Sequence, residues 1–239
     1  MKDYSRNGRL GIATPQANPT VEAEMRRIIP SNIDYCVLRL LSKSSDPKTR
    51  LIDYLVNLPE NIKTQFSDLS INTLLFGCTA STYLLGEEIE KEILANASEA
   101  LGGARIVTAA GAIKKLLIAE KITRVGMLTP YPEWLQVYAE EYWSRSGVEV
   151  VAVQRVDIGS EDTYKIYDLE AEDAMPGFLR LLSKDCEAVL ISGTGMPSLK
   201  LINNNETNGK KVISSNYAMA RIGLSYLGLS PKNQKDWFN

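Results

Sequence analysis

The chain has 239 residues, 27 basic and 29 acidic, for a net charge of −2, and contains no histidine. Its length, with 44% hydrophobic and 23% charged residues, suits one large soluble α/β domain or two small lobes sharing a core. The balanced charge argues against a nucleic-acid or membrane-surface partner, and the missing histidine excludes Ser-His-Asp triads, Cys-His pairs and histidine-bound zinc.

Short β-branched runs alternate with longer amphipathic stretches, the pattern of βαβ units around a mostly parallel sheet. In chain order, strands are expected at 9–13, 34–40, 72–76, 105–108, 124–128, 148–156, 188–192 and 211–214. Helices are expected at 19–28, 49–67, 81–100, 111–120, 132–146, 170–183 and 217–227. No apolar stretch approaches the roughly 18 residues of a membrane span. The start, Met1-Lys-Asp-Tyr-Ser-Arg-Asn-Gly8, lacks the apolar region of a secretion signal. Three cysteines without a C-x-x-C arrangement fit a reducing compartment, so a cytoplasmic location is expected.

An internal repeat underlies the alternation. Arg9-Leu-Gly-Ile-Ala-Thr-Pro15 returns as Arg124-Val-Gly-Met-Leu-Thr-Pro130, and Leu75-Phe-Gly-Cys78 returns as Ile191-Ser-Gly-Thr194. Ile106-Val-Thr-Ala-Ala110 returns as Val212-Ile-Ser-Ser-Asn216. Recurrence in the same order predicts two similar α/β lobes related by a pseudo-two-fold axis, with a cleft between them. The first lobe is expected at 1–112 plus 214–239, the second at 113–213. Ligands of open parallel sheets sit beyond the carboxyl ends of the strands, where every repeated segment ends. Cys78 is then expected to face Thr194 across one cleft, and Thr14–Pro15 to face Thr129–Pro130.

Without histidine, proton chemistry near neutral pH falls to a cysteine, a perturbed carboxylate or lysine, or a tyrosine. Cys78 lies where an apolar strand gives way to a helix, and free amides at a helix start favour the thiolate. Gly77 would allow close approach of a ligand, and Thr79 and Ser81 add hydroxyl donors. The alternative is a buried structural cysteine, the reading preferred for Cys36 and Cys186. Asn18 before Pro19 reads as a helix cap, and the same helix start is a carboxylate site. Tyr131 occupies the equivalent strand end of the second lobe, either at the ligand or packed on Trp134. Gly193-Thr-Gly-Met-Pro-Ser198 lacks the glycine spacing of a phosphate loop and reads as a tight strand-to-helix turn.

The segments 9–24, Gly77-Cys78, Leu128-Thr-Pro-Tyr131 and Met196-Pro-Ser-Leu199 together resemble maleate cis-trans isomerase and, nearby, arylmalonate decarboxylase, within the aspartate/glutamate racemase superfamily. The resemblance implies two α/β lobes, no metal or organic cofactor, a small carboxylate or dicarboxylate substrate in the interlobe cleft, and assembly as a dimer or tetramer. It implies Cys78 as the reacting thiol. Pro15, Asn18, Thr79, Tyr131, Asp162 and Gly195 would line the substrate site, and Thr194 would stand where isomerases carry a second cysteine. The decarboxylase carries its one cysteine on the other lobe and glycine at the position of Cys78. Maleate-type cis-trans isomerisation through Cys78 as nucleophile is the first reading. Decarboxylation of a 2-substituted malonate with Cys78 as proton donor is the second, and a racemase-like or non-catalytic carboxylate-binding protein the third. A functional Cys78 is further expected to be accessible and the most reactive of the three thiols.

Overall fold

The structure is a computed structural model describing residues 7–204 and 206–238; most of the polar N-terminal start lies outside them. Two four-stranded sheets, every pairing parallel, form the frame. The first has the order β2-β1-β3-β4, from β1 (Arg9–Pro15), β2 (Asp34–Leu40), β3 (Thr73–Phe76) and β4 (Arg105–Thr108). The second has the order β6-β5-β7-β8, from β5 (Arg124–Thr129), β6 (Glu149–Arg155), β7 (Ala188–Ile191) and β8 (Lys211–Ser214). The second order is the first displaced by four strands, the architectural counterpart of the sequence repeat. The central strands are covered on both faces, and β3 and β7 are buried throughout, as Leu-, Ile- and Val-rich parallel strands must be.

Helices α1 (Thr20–Ile28), α4 (Thr79–Ala100), α5 (Ala109–Ala119), α6 (Glu133–Arg145) and α7 (Ala171–Leu182) follow their strands as the periodicity predicts. The expected helix at 49–67 is instead two, α2 (Pro47–Val56) and α3 (Leu58–Gln65), joined at Asn57. Pro59 is the cause: it lacks an amide proton and is tolerated only in a first turn, so a new helix starts there. Helix α4 kinks at Gly86, whose φ of 77° no helix interior allows. The short α8 (Leu199–Ile202) and the 3-10 turns Thr163–Asp168 and Gln234–Asp236 were not expected from periodicity. The last helix, α9 (Ser215–Ser225), packs on α1 and α5, returning the chain to the first sheet.

Candidate active site

The carboxyl ends of both sheets meet in one small cavity. Pro15, Asn18, Cys78, Thr79, Tyr131, Thr194 and Gly195 all line it, seven of the eight residues expected there. Leu51, Ala80, Leu135, Thr163, Ile166, Tyr167 and Gly193 complete the wall. Its volume is about 30 Å³. No lysine, arginine, aspartate or glutamate contributes to the lining.

Cys78 ends the strand side of the turn and α4 starts at the next residue. Its thiol is buried, only 4% exposed, contrary to the expectation of an accessible group. Burial pushes its pKa up, while the Ser81 hydroxyl and the Ser81 and Ala80 amides pull it down; burial prevails. Cys186 is buried as expected, but Cys36, on edge strand β2, is only half-buried. Gly77 serves packing rather than ligand approach: a Cβ there would stand 3.3 Å from the Ala13 carbonyl oxygen and from Val21.

Thr194 faces the Cys78 turn, as the repeat predicts. Its hydroxyl donates to the Gly77 carbonyl at 2.8 Å and receives the Asn18 amide at 3.4 Å. Asn18 also caps α1, its Oδ1 accepting from the Thr20 and Val21 amides at 2.9 and 3.3 Å. Tyr131 is buried against the cavity rather than packed at the rim with Trp134. Its hydroxyl meets Thr79 Oγ at 2.7 Å and Ser192 Oγ at 3.1 Å, and Ser192 Oγ meets Tyr83 Oη at 2.8 Å. Burial holds the Tyr131 and Tyr83 hydroxyls far above the usual phenol range, so both stay protonated.

Asp162 is the exception among the expected site residues. Its carboxylate pairs with Arg50, caps the 3-10 turn by accepting from the Tyr164 amide at 3.0 Å, and does not reach the cavity. Arg50, itself buried, also stacks over Tyr164 with its guanidinium carbon 3.6 Å from the ring centroid. The pair thus fastens the Thr163–Asp168 turn, whose Thr163, Ile166 and Tyr167 close the cavity from outside.

A buried carboxylate missed in the sequence lies behind the opposite wall. Glu24 of α1 accepts from the Ser198 and Leu199 amides at 2.5 and 3.1 Å and from Asn216 Nδ2 at 2.8 Å, and Ser198 Oγ lies 2.9 Å away. Asn216 Nδ2 also donates to the Thr194 carbonyl at 3.1 Å. Burial nevertheless raises the Glu24 pKa, outweighing those donors. The acidic residue of an amphipathic helix turn reads as a solvated side chain, so only the fold reveals it.

Known proteins place this arrangement. A family model for arylmalonate decarboxylase matches residues 10–235, nearly the whole chain. The chain belongs to the arylmalonate decarboxylase family. That family and the maleate isomerases share the aspartate/glutamate racemase-like superfamily. No curated protein matches the sequence. Among solved structures, a maleate isomerase of Pseudomonas putida S16 determined with maleate is 22% identical, with a TM-score of 0.81 over 93% of this chain and 92% of that one. A maleate cis-trans isomerase of Nocardia farcinica, carrying a covalently bound succinylcysteine intermediate, is 22% identical, with a TM-score of 0.79 over 93% of both chains. A liganded arylmalonate decarboxylase variant, with one glycine changed to cysteine and one cysteine to serine, is 16% identical; its TM-score is 0.76 over 92% of this chain and 93% of that one. At these identities the structures share the two-lobed fold. Among the described residues, no cluster of side chains suits a metal, and no helix is long and apolar enough to cross a membrane.

Proposed function

We propose that the chain decarboxylates a small 2-substituted malonate without a cofactor, Cys78 supplying the proton that replaces the lost carboxylate. One observation carries this reading: a buried thiol shares its cavity with a hydroxyl corner, Thr79 and Tyr131, and with the apolar side chains of Leu51, Leu135 and Ile166. A carboxylate held at the hydroxyl corner is hydrogen-bonded; its twin against the apolar wall is desolvated and unpaired. Loss of carbon dioxide relieves that second charge. The electron pair of the broken carbon–carbon bond passes to the α-carbon and its remaining carboxylate, and the hydroxyl corner stabilises the enediolate. The Cys78 S–H bond then breaks, its proton goes to the α-carbon, and solvent reprotonates the thiolate. Burial that keeps Cys78 protonated suits a donor.

Maleate-type cis-trans isomerisation, with Cys78 as nucleophile, is the second reading. The Ala80 and Ser81 amides beside the sulfur favour it, because they stabilise a thiolate. The single thiol weighs against it, since Thr194 already donates its proton to Gly77. Incubation with phenylmalonate, methylmalonate and maleate separates the two. Carbon dioxide release from a malonate supports the first, fumarate formation the second, and neither product across all three acids would overturn both.

A further inference from the structure

The cavity around Cys78 is too small for any diacid, and a much larger space shares one lining residue with it. Tyr167 lines the cavity and also an open groove of about 460 Å³ between α1 and α7. The groove is mainly apolar, with Leu169, Ala171, Pro197 and Leu199 along it, and its charged members are of both signs, Arg27 and Lys200 beside Glu24, Glu170 and Glu172. Tyr167 is half-buried, and its hydroxyl makes no hydrogen bond to any described residue. Its ring lies over Gly195, where a Cβ would stand 2.6 Å from Tyr167 Cε1 and 2.8 Å from Cδ1. Any side chain at 195 would push the ring away.

We propose that Tyr167 is the gate and size filter of the site, its ring admitting ligand from the groove and its displacement letting a bulky apolar substituent of the substrate extend into the groove. The ring is the part best suited to move. Cys78, Thr79, Tyr131 and Thr194 are tied by hydrogen bonds or by buried backbone, whereas the Tyr167 ring is held by packing, on Gly195 and against the Tyr164 ring with centroids 6.0 Å apart. Moving it joins the two volumes without separating the lobes. The mostly apolar groove selects an alkyl or aryl group over a second charged arm. Size selection of substrates rests on the decarboxylase reading above; the gate itself does not.

Two substitutions test the gate through thiol chemistry alone. Tyr167→Ala removes the ring, and Gly195→Ala expels it while leaving the tyrosine in place. In both, Cys78 should react with N-ethylmaleimide at least about tenfold faster than in the parent, with Cys36 as the internal reference, a factor set by loss of a steric barrier of ordinary packing size. Circular dichroism and the urea midpoint verify that each variant is folded. Unchanged Cys78 labelling in two folded variants would overturn the gate. Where phenylmalonate and methylmalonate are turned over, Tyr167→Ala should raise the kcat/KM ratio of the larger acid to the smaller. An unmoved ratio with faster labelling would overturn the size filter and leave the gate standing.

Discussion

Thr79 Oγ and Tyr131 Oη lie 2.7 Å apart, so a hydroxyl from each lobe meets on the cavity wall beside Cys78. Tyr131, Ser192 and Tyr83 extend this pair into a buried row of four hydroxyls joined by three hydrogen bonds. In each of these three bonds either oxygen can be the donor, and the buried Tyr83 Oη pairs with Ser192. A row donating from Tyr83 through Ser192 and Tyr131 ends on Thr79, whose O–H is then left for an anionic oxygen in the cavity. Tyr131→Phe breaks the row one hydroxyl before that group. Its kcat/KM should fall by roughly 10²–10³, the usual loss for one oxyanion donor, with most of the change in kcat. Steady-state kinetics on the substituted malonate checks it.

Cys78→Ala should abolish turnover and leave the free energy of urea unfolding within about 1 kcal/mol of the parent, because the side chain borders a cavity wall. Alkylation of the parent enzyme follows the raised thiol pKa. At neutral pH Cys78 should label no faster than half-buried Cys36, and its rate should keep climbing with pH beyond the ordinary thiol range. Peptide mapping after iodoacetamide treatment reads both; rapid selective labelling of Cys78 at neutral pH would contradict the closed, protonated state.

Glu24→Gln should lower stability by about 1–3 kcal/mol, the range for leaving a buried polar group unpaired. The new amide would point a donor at Asn216 Nδ2, which already donates to Glu24 and to Thr194. The deficit should depend on pH in a definite sense. Unfolded Glu24 releases its proton near 4.5, whereas the folded carboxyl holds it to higher pH. The folded state thus binds more protons in that interval, and the parent's advantage is fullest below 4.5 and declines as pH rises toward the folded value. Urea unfolding of both proteins across that interval checks the slope, which the variant should lack.

Arg50→Ala should loosen the Thr163–Asp168 turn by removing the Asp162 pair and the stack on Tyr164. Amide exchange across 163–168 should quicken by about tenfold, the equivalent of one or two net hydrogen bonds or a cation–π contact. Hydrogen-exchange mass spectrometry on the whole chain reads it, with the β3 peptides as the unaffected standard.

Much of this architecture is written in short patterns. The buried runs of β3 and β7 are uninterrupted apolar segments, and the returning Thr-Pro and Gly-Cys or Gly-Thr strand ends mark one cavity from two halves. The Asn18 cap was readable from Asn-Pro alone. Closure was not. The residues that bury Cys78, above all Tyr167 and Ile166, belong to a 3-10 turn too short to have a period, and sequence places no contact between that turn and α4. The apolar wall was equally hidden, because Leu51 and Leu135 look like ordinary helix-face residues until the lobes meet. Asp162 matches the family pattern by position alone, while its side chain answers to Arg50.

The grip of α1 on the 193–199 loop has a mechanical meaning. Asn18 holds the Thr194 hydroxyl, Thr20 Oγ donates to the Gly195 carbonyl at 2.7 Å, and Glu24 gathers the Ser198 and Leu199 amides. Three attachments along two turns of one helix rivet the first lobe to the second on that side, so the lobes have no free hinge there. A molecule built in this way opens like a hatch rather than a jaw. Access then runs on the clock of a short segment and one aromatic ring, nanoseconds to microseconds, instead of the slower clock of domains swinging apart.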